Sequence, residues 1–188
     1  MPKQRITKQA VVDAAFEIAR SGGMEQLTVT NIFQKLGCSV QPIYSYCKNM
    51  DALRQEVAAQ TRRFLHEYVA SRSDKDDLFR STGQAYVQFA KDEPQLFRIF
   101  ILSRRDGISS LADLYQAETD PQVPAAIAES LHISVQQAMQ LHLNMLIYTI
   151  GIGTIFSVTT PGISADEIYT QQQSAYEVFL HAAERGIL

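Results

Sequence analysis

The sequence predicts an all-helical chain, on three observations. Apolar residues recur at three- and four-residue spacing throughout, no stretch sustains the alternation of a strand, and helix-start signals precede the longest apolar runs. With 188 residues, 46% of them hydrophobic, the chain can bury a core without covalent staples. Cys38 and Cys47 are too few for a disulfide framework. The polar first eight residues lead into an amphipathic rather than an apolar stretch, unlike a signal peptide. A reducing compartment, the cytoplasm, is therefore the expected location.

The elements follow in order. A first helix is expected from about residue 7 to Ser21-Gly22-Gly23, with Val11, Ala15, Ile18 and Ala19 inward and Val12 and Phe16 beside them. The Thr28 hydroxyl can cap a second, short helix, in which Val29, Ile32, Phe33 and Leu36 share one face. Gly37 ends it where a left-handed cap is wanted. Ser39 can cap a third helix reaching Cys47, with Pro42 tolerated because it lies in the first turn. A fourth helix, over 49–71, turns Leu53, Val57 and Phe64 inward and links two parts of the chain. The charged run 73–77 marks the next start, Asp92-Glu93-Pro94 is a break, and 96–102 reads as a short apolar helix. Over 103–133 the one clear signal is Asp120-Pro121, a cap followed by a first-turn proline. Ser134 with Gln137, and Ser164 with Glu167, match the capping box and open two long helices, about 134–160 and 164–186.

Between Thr28 and Cys47 lies a short helix, a glycine turn and a second short helix, the layout of a helix-turn-helix. With Ile43 inward, Gln41, Ser45 and Lys48 fall on the opposite face. An amide, a hydroxyl and an ammonium suit base edges and phosphates. The pattern by itself leaves two readings open, a DNA-reading face and the solvated face of a small helix. Charge favours the first. Residues 1–66 hold nine Lys/Arg against five Asp/Glu, a net +4, whereas 67–188 hold eight against fifteen, a net −7. Attraction to a polyanion is local, so a basic head on an acidic body can bind DNA at one end. The expected division is a DNA-binding domain over 1–50 and a larger helical domain over 51–188.

Residues 7–53 resemble the N-terminal domain of the TetR-type family of bacterial transcriptional regulators. The match runs through Ala14-Ala15, Gly22, Leu27-Thr28-Val29, Ile32, Leu36-Gly37, Ile43-Tyr44-Ser45-Tyr46 and Lys48-Asn49 to Leu53. The resemblance implies DNA contacts at Thr28, Thr30, Ser39, Gln41, Pro42, Tyr44, Tyr46 and Lys48, to which the outer-face reading adds Ser45. It also implies a repressor that binds a palindromic operator as a homodimer through its third helix, and a helical domain that holds a small-molecule effector. Two positions depart from the family pattern. Cys47 stands where a larger aromatic or apolar residue is usual, and Met50 replaces a lysine, which leaves more of the phosphate anchoring to Lys48.

In the larger domain, an effector pocket with a mainly apolar lining is expected among Phe64, Tyr68, Tyr86, Phe89, Phe97 and Phe100, faced by Met139, His142 and Leu146. The two last helices offer Tyr148, Ile152, Ile155, Ile168, Tyr176, Phe179 and Leu180 to a dimer interface. No charge occurs between Glu129 and Asp166. Even so, Gln136, Gln137, Gln140, His142 and Asn144 interrupt the run, so a buried core helix is expected rather than a membrane span. Gly151 and Gly153 lie within that helix, where close approach of another helix can offset their cost of about 1 kcal/mol each.

The four histidines show no ligand spacing and no nucleophile elbow occurs, so neither metal, cofactor nor catalysis is expected. Two other classes compete with a DNA-binding regulator. One is a helical enzyme acting on a small apolar substrate, the other a helical interaction module that never touches DNA. A redox role for Cys38 or Cys47 competes with their use as small hydrophobes.

Overall fold

Side-chain caps set where most of the helices begin. The computed structural model describes residues 6–37, 48–74, 77–159 and 162–188. Numbered over those residues, the helices are α1 (Lys8–Gly22), α2 (Val29–Leu36), α3 (Met50–Ala70), α4 (Leu78–Asp92), α5 (Pro94–Leu102), α6 (Leu111–Glu118), α7 (Val123–Leu131), α8 (Val135–Thr159) and α9 (Ala165–Glu184). A 3₁₀ turn spans Met24–Gln26, and no strand occurs among the described residues. Thr7, Thr28 and Asn49 cap α1, α2 and α3, accepting hydrogen bonds from the amides of Ala10, Asn31 and Ala52 at 3.1, 3.2 and 2.8 Å. Gly37 closes α2 at φ 61°, a left-handed conformation that glycine adopts without strain.

The box at Ser134 is reciprocal. The Gln137 amide donates to the Ser134 hydroxyl at 3.2 Å and the Ser134 amide to Gln137 Oε1 at 2.9 Å. At Ser164 one half is present, the Glu167 amide donating to the hydroxyl.

Where the sequence was least readable, the expected start moves. Asp120 does not cap a helix at Pro121; its Oδ1 accepts from the Gln122 amide at 2.9 Å, a local turn, and α7 begins at Val123 with Pro124 in its first turn. Helix α6 was not expected, although Ser110 caps it by accepting from the Asp113 amide. Helix α5 begins two residues early, because Pro94 occupies its first turn instead of breaking the chain. The expected third helix, 39–47, lies outside the described residues.

One buried cluster runs through the molecule. It starts with Val11, Phe16, Leu27 and Ile32 in the head, passes along α3 through Leu53, Val57 and Leu65, and continues into Phe89, Leu96, Phe97 and Phe156. Helix α3 is thus shared by head and body. Helix α8 lies against α4, α5, α7 and α9, burying Ala138, Leu141, Met145, Thr149, Gly153 and Phe156. It is also the one described helix long and apolar enough to cross a membrane by length and composition, with 33% of its most apolar stretch buried within the chain. Its two glycines differ. A Cβ at Gly153 would collide with the Phe97 ring, the close approach the sequence implied, whereas one at Gly151 would meet nothing within 4 Å.

Candidate functional site

In the head, the expected DNA-facing residues that are described lie on the surface. Thr28 and Thr30 are exposed at the start of α2, and Lys48 is exposed immediately before the Asn49 cap of α3. Ser39, Gln41, Pro42, Tyr44, Ser45 and Tyr46 lie outside the described residues, as do Cys38 and Cys47. Thr28 is partly committed, since its hydroxyl caps α2 and its amide donates to the Gln26 carbonyl at 2.9 Å. Met50, the departure from the family's lysine, is partly buried and packs against the core. An apolar side chain is therefore accommodated at that position.

Head and body are tied by polar contacts and by rings. Arg20, at the end of α1, donates from Nε to both carboxylate oxygens of Glu93 at 2.9 and 3.1 Å, immediately before α5. This ion pair raises the Arg20 pKa further. The Arg20 guanidinium also lies 5.0 Å from the centroid of Phe64. From there the rings run Phe16–Phe64 at 5.7 Å, Phe64–Phe89 at 6.2 Å, Phe89–Phe97 at 6.5 Å and Phe97–Phe100 at 6.3 Å, with Tyr68 edge-on to Phe89 at 5.1 Å. Tyr68 also donates its hydroxyl to Asp92; burial, then that carboxylate, raise its pKa.

The residues expected to line a pocket divide between two neighbourhoods. Phe89 and Phe97 are fully buried and Phe100 nearly so. They fill one another's space instead of lining a void, as packing at interior density requires. Tyr86 is half-buried beside them. His142 belongs to a different neighbourhood, where its Nδ1 shares a hydrogen bond with the Tyr115 hydroxyl at 2.9 Å. The rings of Phe79 and Tyr115 lie edge-on to it at 5.8 and 5.4 Å. Burial pushes His142 down to about 4 and Tyr115 up to about 12, so the imidazole is neutral at pH 7. Met139 and Leu146, on the same helix, are half-buried.

Beyond Phe79 lies a cavity of about 80 Å³ lined by Gly83, Met145, Gln172 and Tyr176, well below the ~300–1,000 Å³ of ordinary small-molecule sites. Gln172 is 5% exposed and donates to Thr149 Oγ1 at 3.2 Å, but its own Oε1 has no protein partner. Phe79, Tyr115 and Gln172 were missed in the sequence. Phe79 follows the charged run, Tyr115 lies in the unread stretch, and Gln172 looks like any polar residue on a helix. Among the described residues, no group of His, Cys, Asp or Glu could hold a metal ion.

No family model matches the chain. It is 28% identical over 103 residues to the tetracycline repressor protein class D of Escherichia coli, covering 55% of this chain and 43% of that repressor. It therefore spans less than half the length of that curated relative. Among solved structures it is similar to TetR-Q116A from Acinetobacter baumannii AYE in complex with minocycline, with a TM-score of 0.63 and 16% identity over 96% of this chain and 98% of that one. It is equally similar to BioQ with its double-stranded DNA operator, with a TM-score of 0.62 and 16% identity over 94% and 99%. The chain shares the fold of these TetR-type structures.

Within this fold the residues expected at a dimer interface divide into two sets. Ile168 is buried in its own core, Tyr176 lies against Phe79 at 5.3 Å, and Phe179 is edge-on to Tyr148 at 6.4 Å, so these rings are engaged within the subunit. Leu180 packs in the same local cluster, and Ile152 against the main core. The open face is a different one. Ile155 is 54% exposed, with Ile147 and Val158 also exposed and Gly151 between them. The spacing 147, 151, 155, 158 puts all four on one side of α8, and Val178 of α9 is exposed too.

Proposed function

We propose that this chain is a transcriptional repressor that binds a palindromic DNA operator as a homodimer and is released by a small, mainly apolar effector. Residues 1–50 form the DNA-binding part and 51–188 the effector-binding and dimerisation part, working in the cytoplasm without catalysis or cofactor. One observation carries the reading: the fold match extends over nearly the whole chain, head included, to a regulator bound to its operator. The surface position of Thr28, Thr30 and Lys48 supports it. The open α8 face supports a two-fold dimer, because an exposed apolar ridge with a glycine at its centre admits a second helix closely. The effector's place is the neighbourhood of Phe79, Tyr115 and His142, where neutral polar groups sit among rings.

The test starts with DNA recovered by the purified protein from random fragments, followed by affinities over a salt series. Gln41→Ala is expected to weaken specific binding by about 1–3 kcal/mol and relax one base preference. Lys48→Ala should weaken binding to all sequences and reduce the salt slope by about 1. Failure to retain any DNA sinks the reading. Ile155→Glu, on an exposed position, should yield folded monomers by sedimentation; an unchanged dimer would place the interface elsewhere.

A further inference from the structure

A cleft of about 630 Å³ lies between the head and the body, apart from the ring-lined neighbourhood of His142. Two helix faces form it. On α3 the stripe is Arg54, Ala58 and Arg62, spaced by four; on α5 it is Gln95, Arg98, Ile99 and Leu102, spaced by three and four. The head contributes its turn at Gly23–Glu25, and Arg104 completes the rim.

Four arginines, Arg54, Arg62, Arg98 and Arg104, therefore converge on one concave surface. Arg62 shares the buried Glu118 carboxylate with Arg105, at 3.1 and 2.7 Å, so two cations divide one anion. Arg54 is paired with Asp51 and Arg104 with Asp106, both on exposed acids where pairing is weak. Arg98 has no ion-pair partner among the described residues. The lining also holds two acids, Glu25 and Asp106, against four arginines, so the wall keeps a net positive charge that its concavity focuses on the space it encloses. Guanidinium groups match carboxylates and phosphates two hydrogen bonds at a time. Beside these groups Ile99 is buried, whereas Leu102 is 76% exposed at the mouth, an apolar side chain left in water next to cations.

We propose that this cleft is a binding site for an amphipathic organic anion, a carboxylate or phosphate monoester on an apolar body. The anionic head would meet Arg98 with Arg54 and Arg104, and the apolar body would cover Ile99 and Leu102. Because the cleft is walled by both head and body, an occupant bridges them. The proposal does not depend on the chain binding DNA, since it is read by direct binding.

The probe is 8-anilinonaphthalene-1-sulfonate fluorescence on the full chain, displaced by octanoate, octyl phosphate, octanol or octylamine. Displacement by both anions and not by the alcohol or the amine is expected. Arg98→Gln should weaken the anions by about tenfold, the worth of one charged hydrogen-bonding group, and Leu102→Asp should weaken them too. Arg185→Gln, remote in sequence and outside the cleft, should change nothing. All substituted positions are partly or fully exposed, and thermal unfolding checks that each variant folds. Displacement by octanol as strong as by octanoate overturns the proposal, as does unchanged anion affinity in Arg98→Gln. If Arg98→Gln instead weakens binding to nonspecific duplex DNA and spares the anions, the cleft is a phosphate-backbone contact and the proposal is wrong.

Discussion

The ring stack at the head–body junction and the His142 neighbourhood use similar side chains to opposite ends. At the junction Phe89 and Phe97 have no exposed surface, and their ring centroids lie 6.5 Å apart. Around His142, rings alternate with polar groups: an imidazole on a phenol hydroxyl, a glutamine whose oxygen lacks a partner, and a cavity alongside. A dry stack has one good packing and transmits displacement as a rigid part. A half-polar site tolerates alternatives, because its hydrogen bonds can be made to a ligand as well as to the protein. Aromatic richness alone does not mark a pocket; what separates the two regions is the cavity and the partnerless Gln172 oxygen beside one of them.

The largest expected effect is at the stack. Phe89→Ala should cost about 3–5 kcal/mol in denaturant unfolding, the usual range for a fully buried phenylalanine, while Phe79→Ala, half-buried beside a cavity, should cost clearly less. Equal costs would break the contrast.

Next comes pH. The His142 pKa is about 4 in the folded protein and near 6.5 when unfolded, so the unfolded state binds the proton more readily. Stability is then complete above about pH 6.5 and falls as pH drops towards 4, by up to about 3 kcal/mol. His142→Gln should flatten unfolding free energy between those pH values. A wild-type profile that is already flat there would show that the imidazole is not buried as neutral.

The glycines give the finest test. Gly153→Ala should destabilise by about 1–3 kcal/mol through overpacking against Phe97. Gly151→Ala should stabilise a monomeric background such as Ile155→Glu by up to about 1 kcal/mol through helix propensity. Without Ile155→Glu the gain should vanish if a partner helix packs there.

Much of this architecture was legible in the residues. Caps at Thr28, Ser134 and Ser164 and the periodicity of α1, α2 and α8 carry their own local physics, so their helices fall where expected. The stretch around α6 and α7 was not legible. Asp120-Pro121 satisfies a turn and a helix start equally well, and Ser110 is one serine among many until Asp113 meets it. The grouping of the pocket residues was not legible for a different reason. Phe97 and His142 are both plausible linings by type, and only the path of α8 decides that one fills space and the other borders it. The basic cleft was invisible because its arginines come from helices more than thirty residues apart.

Gln137 has a second task. Besides closing the start of α8, its Nε2 donates to the Ala183 carbonyl at 2.7 Å, in the last turn of α9. The start of one long helix is thereby fastened to the end of the other, while only five residues join their opposite ends. Helix ends are where local opening normally begins and where amide protons are first lost to solvent. With both ends of the pair fastened, its amides should exchange only in larger openings. Its outer face would then meet a partner already ordered, with little entropy left to surrender on contact.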